Sequence, residues 1–160
     1  MISRFLGWIG VAAGAAVGAT LAVWAQEPYP LSILERNVLT PIVKPGDKLR
    51  VEILADRRKR CEQEVTRFVQ ENDGDRQKLT RPWQFDYGRM GRDAYVIEVP
   101  TAADAPMGPG EVVSSAAAIC NPWQRWFGSP VPSGEAWHDK FVFGEQTKTI
   151  PGKYAGEYVR

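Results

Sequence analysis

Phe5 to Trp24 form twenty consecutive residues without a charged side chain, one position after Arg4, the first charge of the chain. A helix rising about 1.5 Å per residue covers roughly 30 Å over this run, the hydrocarbon thickness of a bilayer. Signal-peptide apolar regions are shorter, about 7–15 residues. Such a segment either stays in a membrane or is removed after directing export, and in both cases the remainder is expected on the far side. Val23 and Ala25 permit cleavage after Ala25. Against cleavage stand the length of the run, the thin positive region Met1 to Arg4, and Trp8 and Trp24. These two rings lie about 24 Å apart on a helix, at the depths of aromatic belts. The expectation is an uncleaved anchor over residues 5–24, with a soluble module beginning at Gln26 as the alternative. Arg4 precedes the span and the first charge after it is Glu27, so the amino terminus is expected inside. The chain then reads as a single-pass inner-membrane protein, bacterial or phage-encoded, with its C-terminal domain in the periplasm or outside. Gly10, Gly14 and Gly18 share a helix face of the G-x-x-x-G kind, which could pair two copies in the membrane. Glycine is also simply common in membrane helices.

Gln26 to Arg160 is 135 residues, enough for one domain with its own core. With Arg4 set apart, 19 basic residues face 19 acidic ones, so phosphate-driven binding of nucleic acid is not expected. The one local excess is Arg57-Arg58-Lys59-Arg60. It reads as a solvated turn, or as a contact for anionic lipid or an acidic partner. Two cysteines, Cys61 and Cys120, lie in the exported part and are expected to form one disulfide, the alternative being two buried thiols. Closing a loop of that length stabilises a fold by about 4 kcal/mol on the chain-entropy model.

Residues 25–37 read as a juxtamembrane linker, stiffened at Pro28 and Pro30. Ser32-Ile33-Leu34-Glu35 has the form of a capping box and is expected to start a helical turn reaching Leu39. The sandwich is expected over 38–150, with a tail over 151–160. Val38 to Ile53 reads as edge strand, Pro45-Gly46 turn, then a strand in which Leu49, Val51 and Ile53 alternate with Arg50 and Glu52. In Arg60 to Gln70, Cys61, Val65, Phe68 and Val69 fit a helical stripe. Cys61, Val65 and Val69 also share one face of a strand with Gln63 and Arg67 between them. A basic first turn would oppose the helix dipole and Asn72-Asp73-Gly74-Asp75 is a turn signal, so a strand is expected. Trp83, Phe85 and Tyr87 alternate with polar residues, as do Tyr95, Ile97 and Val99 in part. Gly110 to Cys120 is apolar enough for a central strand. Lys140 to Phe143 with Thr147 to Ile150 suggests a closing strand or hairpin. Short strands separated by proline and glycine describe an all-β sandwich or small barrel.

The core V-x-P-G-D-x-L-x-V at Val43 to Val51, with Cys61 and Cys120 59 residues apart, resembles immunoglobulin-like β-sandwich domains of exported proteins. The resemblance implies about seven strands over Val38 to Ile150 and carries no functional residue with it. The chain departs from the pattern in two ways. No tryptophan stands about 12–15 residues after Cys61, and Ala118 occupies the tyrosine-corner position two before Cys120. If the first three strands are A, B and C, the resemblance places Cys61 on C and Cys120 on F. These are neighbours in one sheet, so the bridge would be cross-strand and not inter-sheet.

Few residues are equipped for chemistry. His138 is the only histidine, and a zinc site needs three or four ligands. Trp137-His138-Asp139 could hold a catalytic base, which makes a small hydrolase or metal enzyme centred on His138 a rival reading, yet no nucleophile motif accompanies it. Asp73 and Asp75 read as a hairpin turn, not a calcium loop. No metal or cofactor is expected. The remaining unusual feature is the ring-rich stretch holding Trp123, Trp126, Phe127, Trp137, Phe141 and Phe143. Its rings either seal one end of the domain or, at Trp123, Trp126, Phe127 and Trp137, meet a partner. The expected function is a membrane-anchored extracytoplasmic binding or scaffolding module that acts through protein contacts and without catalysis. Trp123, tethered near Cys120, is the candidate seal, and Trp126 and Trp137 are the candidate contacts.

Overall fold

The computed structural model describes residues 14–20, 23, 28–71, 74, 76–86 and 88–154. Residues 14–20 and 23 are helical. The rest of the expected 5–24 span, Gly10 included, lies outside the described residues, and no helix among those described is long and apolar enough to cross a membrane. From Leu31 onward the chain is an all-β sandwich. Its strands are β1 Leu31–Val38, β2 Ile42–Val43, β3 Lys48–Arg57, β4 Glu62–Gln70, β5 Arg76–Phe85, β6 Gly91–Pro100, β7 Gly108–Ile119, β8 Val131–Pro132 and β9 Trp137–Phe143. One sheet has the order β1-β3-β6. The other runs β2-β9-β7-β4-β5, with β8 on the edge of β7. All pairings are antiparallel except β2 with β9.

Side-chain alternation explains why these segments are strands. On β3, Leu49, Val51, Ile53 and Ala55 point inward and are buried. On β9, Asp139, Phe141 and Phe143 are buried while His138, Lys140 and Val142 between them are exposed, the period of two that a half-buried strand requires. Leu49, Val51, Val69, Val112 and Phe143 are almost wholly enclosed, each burial being worth about 1.5–3 kcal/mol. Phe141 and Phe143 pack edge to face, centroids 4.9 Å apart. They close on the backbone of Gly110, where an added Cβ would stand 2.7 Å from the Phe141 ring.

Several expectations are met. Arg60 to Gln70 does contain a strand, β4, and β7 is central, flanked by β4 and β9. The turn before β3 closes on Gly46 at φ +87 with Asp47 N donating to Lys44 O at 2.9 Å. Gly74, at φ +90, lies in the β4–β5 connection, where its N–H donates to Glu71 O; Asn72, Asp73, Asp75 and Tyr87 lie outside the described residues. Cys61 and Cys120 are bonded, Cα to Cα 4.6 Å, and flank the register pair Glu62 and Ile119. The bridge therefore ties neighbouring strands within one sheet.

Two expectations are corrected. Ser32 to Leu39 forms no helical turn. It is β1, paired with β3 from Leu31 opposite Arg57 to Val38 opposite Val51, with a bulge between Ile33 and Glu35. Inward Leu31, Ile33 and Val38 gain burial as a strand that a lone helical turn would not give them. The sandwich accordingly starts inside the segment expected as linker. At the other end, residues 151–154 fold back over the outer face of the three-stranded sheet, where the amides of Lys153 and Tyr154 donate to buried Glu52 at 2.9 and 2.7 Å.

Candidate functional site

The disulfide gathers one end of the sandwich. After Cys120 the chain forms a single helical turn, α1 Pro122–Trp126, for local reasons. Asn121 is an extended N-cap whose side chain accepts from Gln124 N at 2.9 Å, and Pro122 occupies the first turn, where its missing N–H costs nothing. Gln124 is buried and its Oε1 accepts from Cys120 N at 2.7 Å, which pins the turn to the bridge. Arg125 forms an ion pair with Glu62 at the start of β4. With the turn so held, Trp126 is 77% exposed and Phe127 62% exposed. Trp123 is half-buried and stacks under Phe127, centroids 4.0 Å apart. The structure thus brings Trp123, Trp126 and Phe127 together. Trp137 stands apart from them as the first residue of β9, opposite Ser114 in register.

The basic run lies at the same end. Arg57 is not part of its exposed surface. Its side chain turns inward, with Nε 2.6 Å from Asp86, Nη1 2.7 Å from Arg89 O and the Asp93 carboxylate 3.9 Å away. Arg58, Lys59 and Arg60 are exposed. Arg58 binds the segment entering the domain, its N–H donating to Pro30 O and its guanidinium to Tyr29 O, both at 2.9 Å. Tyr29 and Pro30 are buried, so the chain leaves residue 28 directly into the sandwich beside this basic turn.

Behind it the two sheets separate around a cleft of about 460 Å³. Cys61, just before β4, and the inward positions Gln63, Val65, Arg67 and Val69 of β4 form one row, so two polar side chains stand among core positions. Arg67 pairs in register with Ser114, whose side chain also faces the cleft. Across the gap Arg36 of β1 is held by Asp139 of β9, with Nε to Oδ1 at 2.9 Å, and its guanidinium lies 5.6 Å from the centroid of Trp137. Burial lowers the Arg67 pKa, and the neighbouring Arg36 cation lowers it further. Burial raises the phenols of Tyr29 and Tyr95 in the same space. Polar residues at Gln63 and Arg67 are visible in the sequence, but nothing there shows that six further strands leave a cavity around them.

His138 lies on the exposed face of β9, its Nδ1 3.1 Å from Glu111, while Asp139 points into the interior to Arg36. Strand alternation therefore separates the two members of the Trp137-His138-Asp139 triplet that a catalytic dyad would need. Gly14 and Gly18 lie in the described helical residues, and an added Cβ at either meets nothing within 4 Å.

No family model matches the chain, and no curated protein matches it in sequence. Solved structures similar to it include the Pseudomonas fluorescens alkylpurine DNA glycosylase bound to DNA containing an abasic site analog. That likeness has 10% identity and a TM-score of 0.45, over 71% of this chain and 30% of the other. Others are the sporulation control protein Spo0M from Bacillus subtilis, at 12% and 0.39 over 72% and 49%, and a β-glucosidase from Erythrobacter marinus, at 13% and 0.41 over 71% and 15%. The chain spans less than half the length of each.

Proposed function

We propose that this chain is a membrane-anchored, extracytoplasmic binding module with an immunoglobulin-like sandwich, and that its contact surface for a protein partner is the aromatic pair Trp126 and Phe127. The observation that carries the reading is their exposure on a turn fixed by a cap, a buried glutamine and a disulfide. Large rings held rigidly in water lose little entropy on association, and tryptophan is enriched at the energetic centres of interfaces. The strand order supports the immunoglobulin-like part. β1, β3 and β6 correspond to strands A, B and E, and β9, β7 and β4 to G, F and C, with β5 added as C′. The cross-strand disulfide supports export, since such bonds persist in oxidising compartments. The apolar run Phe5 to Trp24 supports the anchor.

A second reading of the same surface is contact with lipid headgroups. It is favoured by the position of Arg58 beside Tyr29 and Pro30, which sets the basic turn next to the segment that would leave the bilayer. The two readings separate on one pair of substitutions. With Trp126→Ala and Phe127→Ala combined, a protein-contact surface should lose its co-purified partner while the unfolding midpoint of the full chain stays within about 2 °C, because exposed positions add little to the fold. A lipid-contact surface should instead keep the partner and lose affinity for anionic vesicles. A large drop in midpoint would show that the rings belong to the core and would remove both readings.

A further inference from the structure

We propose that the inter-sheet cleft is a binding site for a small organic monocarboxylate with an apolar body, its carboxylate received by Arg67 and Ser114. The pairing of charges leads to this class of ligand. Each carboxylate around the cleft is already committed to another cation: Asp139 to Arg36, Asp86 and Asp93 to Arg57, and Glu98 to Lys48 and Arg50. Asp86 also accepts from Gln63, and Arg81 donates to Gln84. Arg67 is left over. Among the described residues its Nε has no hydrogen-bond partner, and neither has Ser114 Oγ beside it or the Tyr29 hydroxyl farther along the cleft.

A half-buried guanidinium with no carboxylate in hydrogen-bond contact is costly, and a sandwich that needed only stability would carry an aliphatic residue at position 67. Polar side chains at positions that alternation assigns to the core call for a functional reason. The donors available at Arg67 and Ser114 suit a single anionic headgroup, and a guanidinium binds a planar carboxylate in a two-point fork. Ile33, Ile53, Val65, Ile97 and Ala116 line the same space and would cover an apolar body. The volume falls in the range of small-molecule sites, roughly 300–1,000 Å³. Entry lies between the edge strands β5 and β6. A second cavity of about 220 Å³, lined by Leu79 and Thr80 of β5 and by Glu98 and Val99 of β6, shares Arg67 and Arg81 with the first.

The test titrates the full chain, reconstituted in phosphatidylcholine nanodiscs, with 2-naphthoate by calorimetry, using 2-naphthalenemethanol as the neutral analogue and empty nanodiscs as the blank. Saturable 1:1 binding of naphthoate is expected, with the alcohol at least tenfold weaker. Arg67→Gln should weaken naphthoate at least tenfold and abolish the preference over the alcohol, while its ligand-free unfolding midpoint stays at or above that of the native chain. Ser114→Ala should weaken binding several-fold with the fold intact, which keeps the test decisive even where Arg67→Gln is poorly produced. Trp126→Ala should leave naphthoate binding unchanged, so loss of the aromatic surface and loss of the cleft are read separately. No saturable binding to the native chain, equal binding of the alcohol, or undiminished binding by Arg67→Gln or Ser114→Ala would each overturn the proposal. The first of these would mean that the cleft holds only water.

Discussion

Arg57 ends β3, and its guanidinium gathers Asp86, Asp93 and the carbonyl of Arg89. It sits so close to the β5–β6 connection that a Cβ on Gly88 would stand 2.3 Å from its Nη1, so a side chain there would have to displace the guanidinium. Arg57→Ala would leave two enclosed carboxylates without a cation, and removing one partner of a buried pair costs about 3–5 kcal/mol. The expected outcome is a loss of that order in a urea titration of the full chain, whereas Lys59→Ala, at an exposed position, should shift stability by no more than about 0.5 kcal/mol. In the sequence, Arg57 is hidden inside a run of four basic residues that invites a single interpretation. The cue that separates it is the alternation Leu49, Val51, Ile53, Ala55, Arg57, which places it on the inward face once β3 is known to extend that far. A similar cue exists for Arg67: a step of four between Val65 and Val69 on a strand also puts the residue between them on the same face.

Elements with strong periodicity are legible in the sequence. β4 declares itself through the glycine turn after it and the unfavourable charge it would give a helix, and β7 through its long apolar run. β1 is not legible in this way, because Ser32 and Glu35 have the spacing of a capping box and only pairing with β3 overrides that local preference. α1 leaves a signal that spacing alone obscures: Asn121-Pro122 is a cap followed by proline at the first helical position. The backfolded C-terminal segment has no periodic signal at all, since it is held by point contacts. Lys153 Nζ lies 2.8 Å from the Glu35 carboxylate, and Tyr154 donates its hydroxyl to the same group. Hydrogen bonds from Lys153 and then Tyr154 lower the Glu35 pKa from the ordinary 4.5 to about 2. A carboxylate depressed in the folded state contributes stability above its unfolded pKa and loses it as pH falls through the folded value. The contacts of Lys153 and Tyr154 should therefore hold above about pH 4.5 and release on acidification towards pH 2. The side-chain carboxyl resonance of Glu35 should follow that titration. An apparent midpoint near 4.5 would show that the salt bridge does not form in solution.

At the scale of the molecule, the sandwich is legible in the alternation and the disulfide in the two cysteines, while the cross-strand placement of the bridge is what the immunoglobulin-like resemblance implies. The division of the interior is not legible. One half is filled by Val43, Leu49, Val69, Val112 and Phe143, and the other holds arginines around a cleft. Which inward positions meet across the gap depends on strand order, not on any local pattern. The same organisation sets the basic turn, the aromatic pair and the entry of the chain at one end, joined by the Cys61–Cys120 bond. That arrangement has functional meaning only if the apolar run Phe5 to Trp24 stays attached and holds this end towards a bilayer. The most direct measurement is the intact mass of the protein recovered from membranes after carbonate washing. The result expected is a pelleted species of about 17.8 kDa that retains residues 1–25 and is lighter by about two protons than its reduced form. A washed-off or soluble species beginning at Gln26 would contradict the anchored module.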